Sequence, residues 1–148
     1  MTSLRLPAKA CAASHPAYSQ ILPCEPSAAQ RGRELVREVL SVWGLSRLAD
    51  PATLITTELI ANASGHTRCS EVRLVLDRPS PSLLRIAVVD GEPSSLPMLS
   101  QASVSDESGR GLLLINAVTD RWGYDLTGPS TDPWGKEVWA ELRTEDAR

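Results

Sequence analysis

Hydrophobic residues in the first half of the chain recur at the spacing of two amphipathic helices. The first helix is predicted to begin at a capping box of Ser27 and Gln30 and to end at Gly44. The second is predicted to begin at Asp50 and Pro51 and to end at about residue 64 or 66. Their apolar positions, three and four residues apart, are Leu35, Val36, Val39, Leu40 and Trp43, then Ala52, Ile55, Leu59 and Ala63.

Alternating apolar and polar residues predict the strands. Residues 18–23 form a short edge strand, and two alternating stretches on either side of the turn at 78–82 form a hairpin. The inward positions of the hairpin are Val72, Leu74 and Leu76 and then Leu84, Ile86 and Val88. Residues 112–118 form an apolar helix, and two last strands lie at 121–126 and 136–142.

The resulting order, β-α-α-β-β-loop-α-β-β, predicts an α+β fold. We expect a two-layer α/β sandwich in which a mostly antiparallel sheet is covered on one face by about three helices. The domain spans residues 18–143, between a flexible N-terminal tail at 1–17 and a C-terminal tail at 144–148. The polar connection at 91–108 is long for a compact domain, and such loops are usually functional or mobile.

Composition narrows the classes of function. A chain of 148 residues with 42% hydrophobic residues suits one domain with a real core. Its net charge of −3 argues against direct nucleic-acid binding. Neither a membrane span nor a secretory signal is present, so we expect a cytoplasmic protein. Three cysteines without a CxxC pair suggest neither a disulfide framework nor a zinc knuckle.

Asp90 is the first residue that packing does not explain. It shares the parity of Leu84, Ile86 and Val88 and therefore points to the apolar side of its strand. An unpaired carboxylate there would cost several kcal/mol. Its partner is a backbone amide, a cation or a ligand donor, or else Asp90 caps the turn into Gly91.

Three polar residues of the second helix form another candidate group. Glu58, Asn62 and His66 are spaced by four and lie on one shoulder of the buried stripe, where they could line a cleft. The alternatives are a solvated flank for Glu58 and Asn62 and an ordinary boundary histidine for His66. Gly65 can also end the helix early and place His66 on a loop.

A glycine-rich segment precedes the apolar helix. Gly109, Arg110 and Gly111 follow Ser108, and glycines before a helix N-terminus let backbone amides approach an anion. This is the chemistry of phosphate binding, although most Gly-x-Gly sequences before a helix are merely flexible connections.

Four motifs in this order resemble the Bergerat-fold (GHKL) ATPases, and within them the anti-sigma-factor serine/threonine kinases of actinobacteria. The resemblance covers roughly residues 18–143. Its motifs are Glu58-Leu59-Ile60-Ala61-Asn62-Ala63-Ser64-Gly65-His66, Val88-Val89-Asp90, Ser108-Gly109-Arg110-Gly111-Leu112 and Gly135-Lys136-Glu137-Val138-Trp139.

The resemblance implies ATP and Mg²⁺ as cofactors. Asn62 would ligate Mg²⁺ through its amide oxygen, and Glu58 would be the general base or would orient the attacking hydroxyl. Asp90 would accept a hydrogen bond from the adenine amine, and His66 would lie near the phosphates. The glycines at 109 and 111 and Arg110 would close on the phosphates as part of a lid.

The function implied is that of an anti-sigma-factor-like serine/threonine kinase. It would phosphorylate an anti-anti-sigma factor and/or sequester a sigma factor, and related regulators are often homodimers. The alternatives are a non-catalytic, nucleotide-gated binding module and a degenerate domain without ATP binding. A histidine kinase is disfavoured because 148 residues leave no room for a phospho-acceptor hairpin.

Two departures from the family pattern concern the nucleotide. The first glycine box usually reads DxGxG, whereas residues 90–94 read DGEPS and place Glu92 near the proposed ligand. Glu137 stands where relatives often carry a threonine near adenine. Asn62 and Asp90 are both retained, so the sequence supports nucleotide binding more strongly than kinase turnover.

Overall fold

A computed structural model describes residues 17–66, 70–91, 115 and 117–144, with the backbone alone for residues 65 and 66. In chain order the elements are β1 (Tyr18–Pro23), α1 (Ala28–Trp43), a 3₁₀ turn (Ser46–Leu48), α2 (Ala49–His66), β2 (Glu71–Asp77), β3 (Leu83–Asp90), β4 (Arg121–Thr127) and β5 (Gly135–Arg143). Residues 115, 117 and 118 are helical, while the rest of the helix predicted at 112–118 lies outside these ranges.

The strands form one antiparallel sheet in the order β1-β2-β3-β5-β4. The α1 and α2 helices pack on the face that carries the apolar residues of the hairpin. This arrangement confirms the predicted α+β sandwich, with β1 as an edge strand. Of the segments predicted as tails, residues 1–16 and 145–148 lie outside the described ranges.

Close contact between the two helices depends on Gly32 of α1. A Cβ atom at this position would lie 2.6 Å from Cδ1 of Ile60 and 3.1 Å from Cγ2 of Thr56, both on α2. Beside this contact, Nη1 of Arg33 donates a hydrogen bond to Oγ1 of Thr57 at 3.0 Å. Glycine therefore lets α1 approach α2, whose polar residues are candidates for the site.

The predicted helix ends are correct in position but not in every detail. Gly44 has a φ of 73° and ends α1 in the left-handed conformation that glycine favours. Ser27 makes no side-chain hydrogen bond at the start of α1, so the capping-box prediction was wrong. Asp50 lies in the first turn of α2 and not at its N-cap, because the preceding 3₁₀ turn leads directly into the helix at Ala49.

Cys24 is disulfide-bonded, a single crosslink that the sequence did not predict. The other two cysteines of the chain, Cys11 and Cys69, lie outside the described residues. The backbone N–H of Cys24 donates to the carbonyl oxygen of Ser70 at 2.9 Å, so the β1–α1 connection lies against the start of β2.

None of the helices in the described part of the chain combines the length and the hydropathy that a membrane span requires.

Candidate functional site

Asn62 lies in the last turns of α2 and is buried to 5% exposure. Its amide oxygen and its amide nitrogen are both buried, and neither has a hydrogen-bond partner among the described residues. Buried polar atoms are nearly always paired, because an unmade hydrogen bond in the interior costs about 1–3 kcal/mol. The alternative of a solvated flank is therefore excluded for Asn62, which is buried and carries two unsatisfied polar atoms.

Glu58 lies one helical turn before Asn62 and is partly buried. Burial raises the pKa of its carboxyl group above the usual value of 4.5, because desolvation disfavours the charged form. Between these two residues Leu59 is buried in the core, as the helical stripe predicted. The α2 helix thus presents a carboxyl group and an unpaired amide on the same side, in consecutive turns.

Asp90 ends β3 and points inward, as its parity predicted. Its partner is a cation: Nζ of Lys136 lies 2.9 Å from Oδ2 and 3.1 Å from Oδ1. The two residues are directly opposite each other on β3 and β5, and their side chains are 1% and 0% exposed. The sequence left open a backbone amide, a cation or a ligand donor as the partner of Asp90, and the structure places a cation there, Lys136 on the neighbouring strand β5.

Lys136 was not among the site residues predicted from the sequence. The sequence could have indicated its burial, because Lys136 lies on the same side of its strand as Val138, Ala140 and Leu142, which are all buried. A lysine in an apolar register needs a buried anion. The antiparallel pairing of β3 with β5 supplies Asp90, but that pairing cannot be read from either strand alone.

Gly135 allows the strands to approach closely beside this ion pair. A Cβ atom on Gly135 would lie 2.4 Å from the backbone oxygen of Asp90 and 2.8 Å from Oγ1 of Thr127. Oγ1 of Thr127 is also buried, and the described part of the chain offers it no hydrogen-bond partner. The inner end of the site is therefore tightly packed around the backbone of Asp90.

The edge strand β4 adds exposed apolar residues to the helix-facing side of the sheet, next to β5. Leu126 is opposite Lys136 and Tyr124 is opposite Val138, and they are 46% and 40% exposed. These residues share the helix-side parity of Trp122, which packs partly against the core. An apolar, accessible shelf consequently borders the buried ion pair, and sequence patterning alone did not single it out.

The structure leaves the remaining predicted site residues untested. His66 is the last residue of α2, and its side chain lies outside the description. Gly109, Arg110 and Gly111 belong to residues 92–114, which are also outside it. The described candidate residues are Glu58 and Asn62 on α2 and the Asp90–Lys136 pair on β3 and β5, and α2 packs on β3.

The fold and this group of residues define a two-layer α+β domain with buried polar side chains on its helix-facing side. No protein-family model matches the chain. Over 102 residues it is 34% identical to Uncharacterized protein SCO4941 of Streptomyces coelicolor (strain ATCC BAA-471 / A3(2) / M145), in a match that covers 66% of this chain and 78% of the relative. The chain belongs to the family of this Streptomyces protein.

Among solved structures, the chain is similar to "Mycobacterial sensor histidine kinase MprB" with 14% sequence identity and a TM-score of 0.48. The superposition covers 84% of this chain and 96% of that one.

Proposed function

We propose that the protein is an ATP-binding regulator that binds Mg-ATP between the C-terminal half of α2 and the end of β3. The observation that carries the proposal is Asn62, whose buried amide has two polar atoms without hydrogen-bond partners in the described ranges. A bound ligand would satisfy both atoms. The resemblance of residues 58–66 to the ATPase motif assigns that ligand to a metal–nucleotide complex.

The chemistry of Asn62 fits Mg²⁺. A side-chain amide oxygen is a hard, neutral donor, and Mg²⁺ takes a few protein oxygens while keeping water and phosphate ligands. Asn62 would hold the ion, and bound Mg-ATP would supply a transferable phosphoryl group. The Nδ2 amide hydrogens of Asn62 would be left to donate to an acceptor on the ligand or on water.

Glu58 is suited to act on the substrate hydroxyl. In the proposed reaction a serine or threonine oxygen of an anti-anti-sigma factor forms the new bond to the γ-phosphorus, the bond to the β–γ bridging oxygen breaks, and ADP leaves. Glu58 accepts or orients the hydroxyl proton. The raised pKa of Glu58 brings its basicity nearer to neutral pH, where a general base works best.

A second candidate function is favoured by the Asp90–Lys136 pair. Both oxygens of Asp90, the expected acceptor for the adenine amine, already accept hydrogen bonds from Lys136. A non-catalytic binding module, or a degenerate domain that docks a sigma factor without nucleotide, needs no purine contact at this carboxylate. Each carboxylate oxygen has more than one lone pair, so the pairing with Lys136 is compatible with either function.

A cytoplasmic location belongs to the proposal, because sigma factors and their regulators act there. The disulfide of Cys24 weighs against it, since disulfides persist mainly in oxidising compartments.

The test is a transfer assay with labelled Mg-ATP, the purified protein and a candidate anti-anti-sigma factor. Transfer of label to the partner by the wild type supports the kinase function. The transfer should be lost in Glu58→Gln and Asn62→Ala and retained in the neighbouring surface variant Ser64→Ala. Nucleotide binding that Asn62→Ala abolishes, without transfer to any partner, supports the gated module. If the wild type binds no nucleotide, and Asp90→Asn shows the same lack of binding, the ATP-binding proposal is wrong.

A further inference from the structure

The ion pair of Asp90 and Lys136 closes the end of the candidate site where the resemblance to the ATPases places the nucleotide base. Nζ of Lys136 donates hydrogen bonds to Oδ2 of Asp90 at 2.9 Å and to Oδ1 at 3.1 Å. The side chain of Asp90 is 1% exposed and that of Lys136 is 0% exposed. Both carboxylate oxygens therefore accept from a cation of the chain itself, and their remaining lone pairs are enclosed with them.

An amine on a base offers Asp90 less than Lys136 already supplies. The exocyclic amine of a base is a neutral donor, whereas the ammonium of Lys136 donates with a full positive charge. To accept from the amine, Asp90 would have to turn away from Lys136 and leave a buried cation without its counter-charge. That loss exceeds the gain from one hydrogen bond, so we expect the ion pair to persist when a nucleotide is bound.

The strands around the pair are also closely packed. A Cβ atom on Gly135 would lie 2.4 Å from the backbone oxygen of Asp90. Thr127 has a buried hydroxyl oxygen for which the described ranges contain no hydrogen-bond partner. It lies opposite Gly135, however, and strand alternation places it on the other face of the sheet from the Asp90 side chain. Thr127 is therefore not placed to contact a base beside Asp90.

The amide of Asn62 has the opposite character. The residue is 5% exposed, and both of its polar side-chain atoms are buried without hydrogen-bond partners in the part of the chain that the structure describes. Its oxygen is a donor atom that suits Mg²⁺, which usually keeps phosphate and water ligands as well. The hydrogen-bonding capacity of the site is thus unsatisfied at the expected metal–phosphate end and satisfied at the expected base end.

We propose that the site binds a Mg²⁺-bound polyphosphate without recognising the base, so that nucleoside triphosphates bind regardless of their base. Asn62 is the metal ligand here as in the proposed function, on which this assignment rests. Lys136 is the residue that removes base selection, because it takes up the carboxylate that would otherwise accept from a base amine. Inorganic triphosphate carries the same recognised group and is therefore included in the test.

The first experiment is a calorimetric titration of the wild type with the Mg²⁺ complexes of ATP and ITP. These nucleotides differ at position 6 of the purine, where ATP has an amine and ITP a carbonyl oxygen. We expect their dissociation constants to agree within about threefold, because a site that hydrogen-bonds the amine would reject ITP by orders of magnitude. Binding of ATP about tenfold or more tightly than ITP would overturn the proposal.

Competition against bound ATP shows which part of the nucleotide is recognised. Inorganic triphosphate with Mg²⁺ should displace ATP from the wild type, because it retains the metal-binding oxygens. Adenosine, which has the base and ribose but no phosphate, should not. Displacement by adenosine, or no displacement by triphosphate, would contradict binding through the polyphosphate.

The variant Lys136→Met tests the role of the lysine directly. It leaves the Asp90 carboxylate without its cation, and we expect a preference for ATP over ITP of about tenfold or more to appear. The double variant Lys136→Met with Asp90→Leu is the matched control, because it lacks the carboxylate that would accept the amine, and it should show no such preference. Equal affinities of ATP and ITP for folded Lys136→Met would refute this role. The titrations of the wild type decide the proposal if the variant fails to fold.

The same titrations separate this proposal from the proposed function. A wild type that binds none of these phosphate ligands would refute the proposed function together with base-independent binding. A wild type that binds ATP, loses that binding in Asn62→Ala and rejects ITP would refute base-independent binding alone.

Discussion

At the scale of single residues, Lys136 and Asp90 form a buried ion pair at the inner end of the candidate site. Both charged groups are removed from water, and each compensates the charge of the other. The parity of β3 predicted that Asp90 points inward, and the structure agrees. The partner could not be predicted, because it depends on which strand lies beside β3, and β5 follows it only after 44 residues of intervening chain.

Replacing Lys136 by Met should destabilise the protein by about 3–5 kcal/mol, because it removes the buried cation that faces the Asp90 carboxylate. The double variant Lys136→Met with Asp90→Leu should recover most of that loss, since it leaves neither charge in the interior. The free energy of unfolding from urea denaturation measures both effects. A single variant as stable as the wild type would mean that the pair is not buried in solution.

Glu58→Gln should change the pH dependence of stability in a defined direction. The folded state raises the pKa of Glu58 above 4.5 through desolvation, so the folded protein binds this proton more readily than the unfolded chain. Relative to the Gln variant, the wild type should be most stable below pH 4.5 and lose that advantage as the pH rises through the folded-state pKa. Urea midpoints across the acid range test this, with the exposed Glu38→Gln as the control substitution. The opposite trend would contradict the burial of Glu58.

At the scale of elements, the close approach of β3, β4 and β5 depends on Gly135. Gly135→Ala should destabilise the protein by about 1–3 kcal/mol, because the added Cβ meets the backbone oxygen of Asp90, which no rotamer change can move. Gly91→Ala is the matched control, since the nearest atom to its Cβ would be 3.9 Å away. Thermal denaturation of the two variants distinguishes them, and equal melting temperatures would contradict the strand packing.

Hydrophobic periodicity predicted most of the elements, because a strand or helix that is buried on one side repeats its apolar residues at the spacing of that element. All six inward positions of the β2–β3 hairpin and all four of the α2 stripe are buried. Local hydrogen bonding was less predictable: Ser27 makes no cap, and a 3₁₀ turn precedes α2. The apolar shelf of Tyr124 and Leu126 also escaped prediction, because exposure at a sheet edge depends on strand order.

At the scale of the whole molecule, the disulfide of Cys24 ties the connection after β1 to another part of the chain. Reduction should lower the free energy of unfolding by about 2–4 kcal/mol, because the unfolded chain regains the freedom that the crosslink removed. Cys24→Ser should match the reduced wild type. Peptide mapping without reductant identifies the partner as Cys11 or Cys69. Three titratable thiols in the oxidised protein would show that no disulfide forms.

The central claim is that the orphaned amide of Asn62 binds a metal–nucleotide complex, and a calorimetric titration with Mg-ATP tests it most directly. We expect the wild type and Ser64→Ala to bind with the same affinity, and Asn62→Ala to bind at least about tenfold more weakly because a metal ligand is lost. The affinity of the wild type should also fall when Mg²⁺ is removed. Equal affinities of Asn62→Ala and wild type, or no heat of binding from the wild type, would contradict the account.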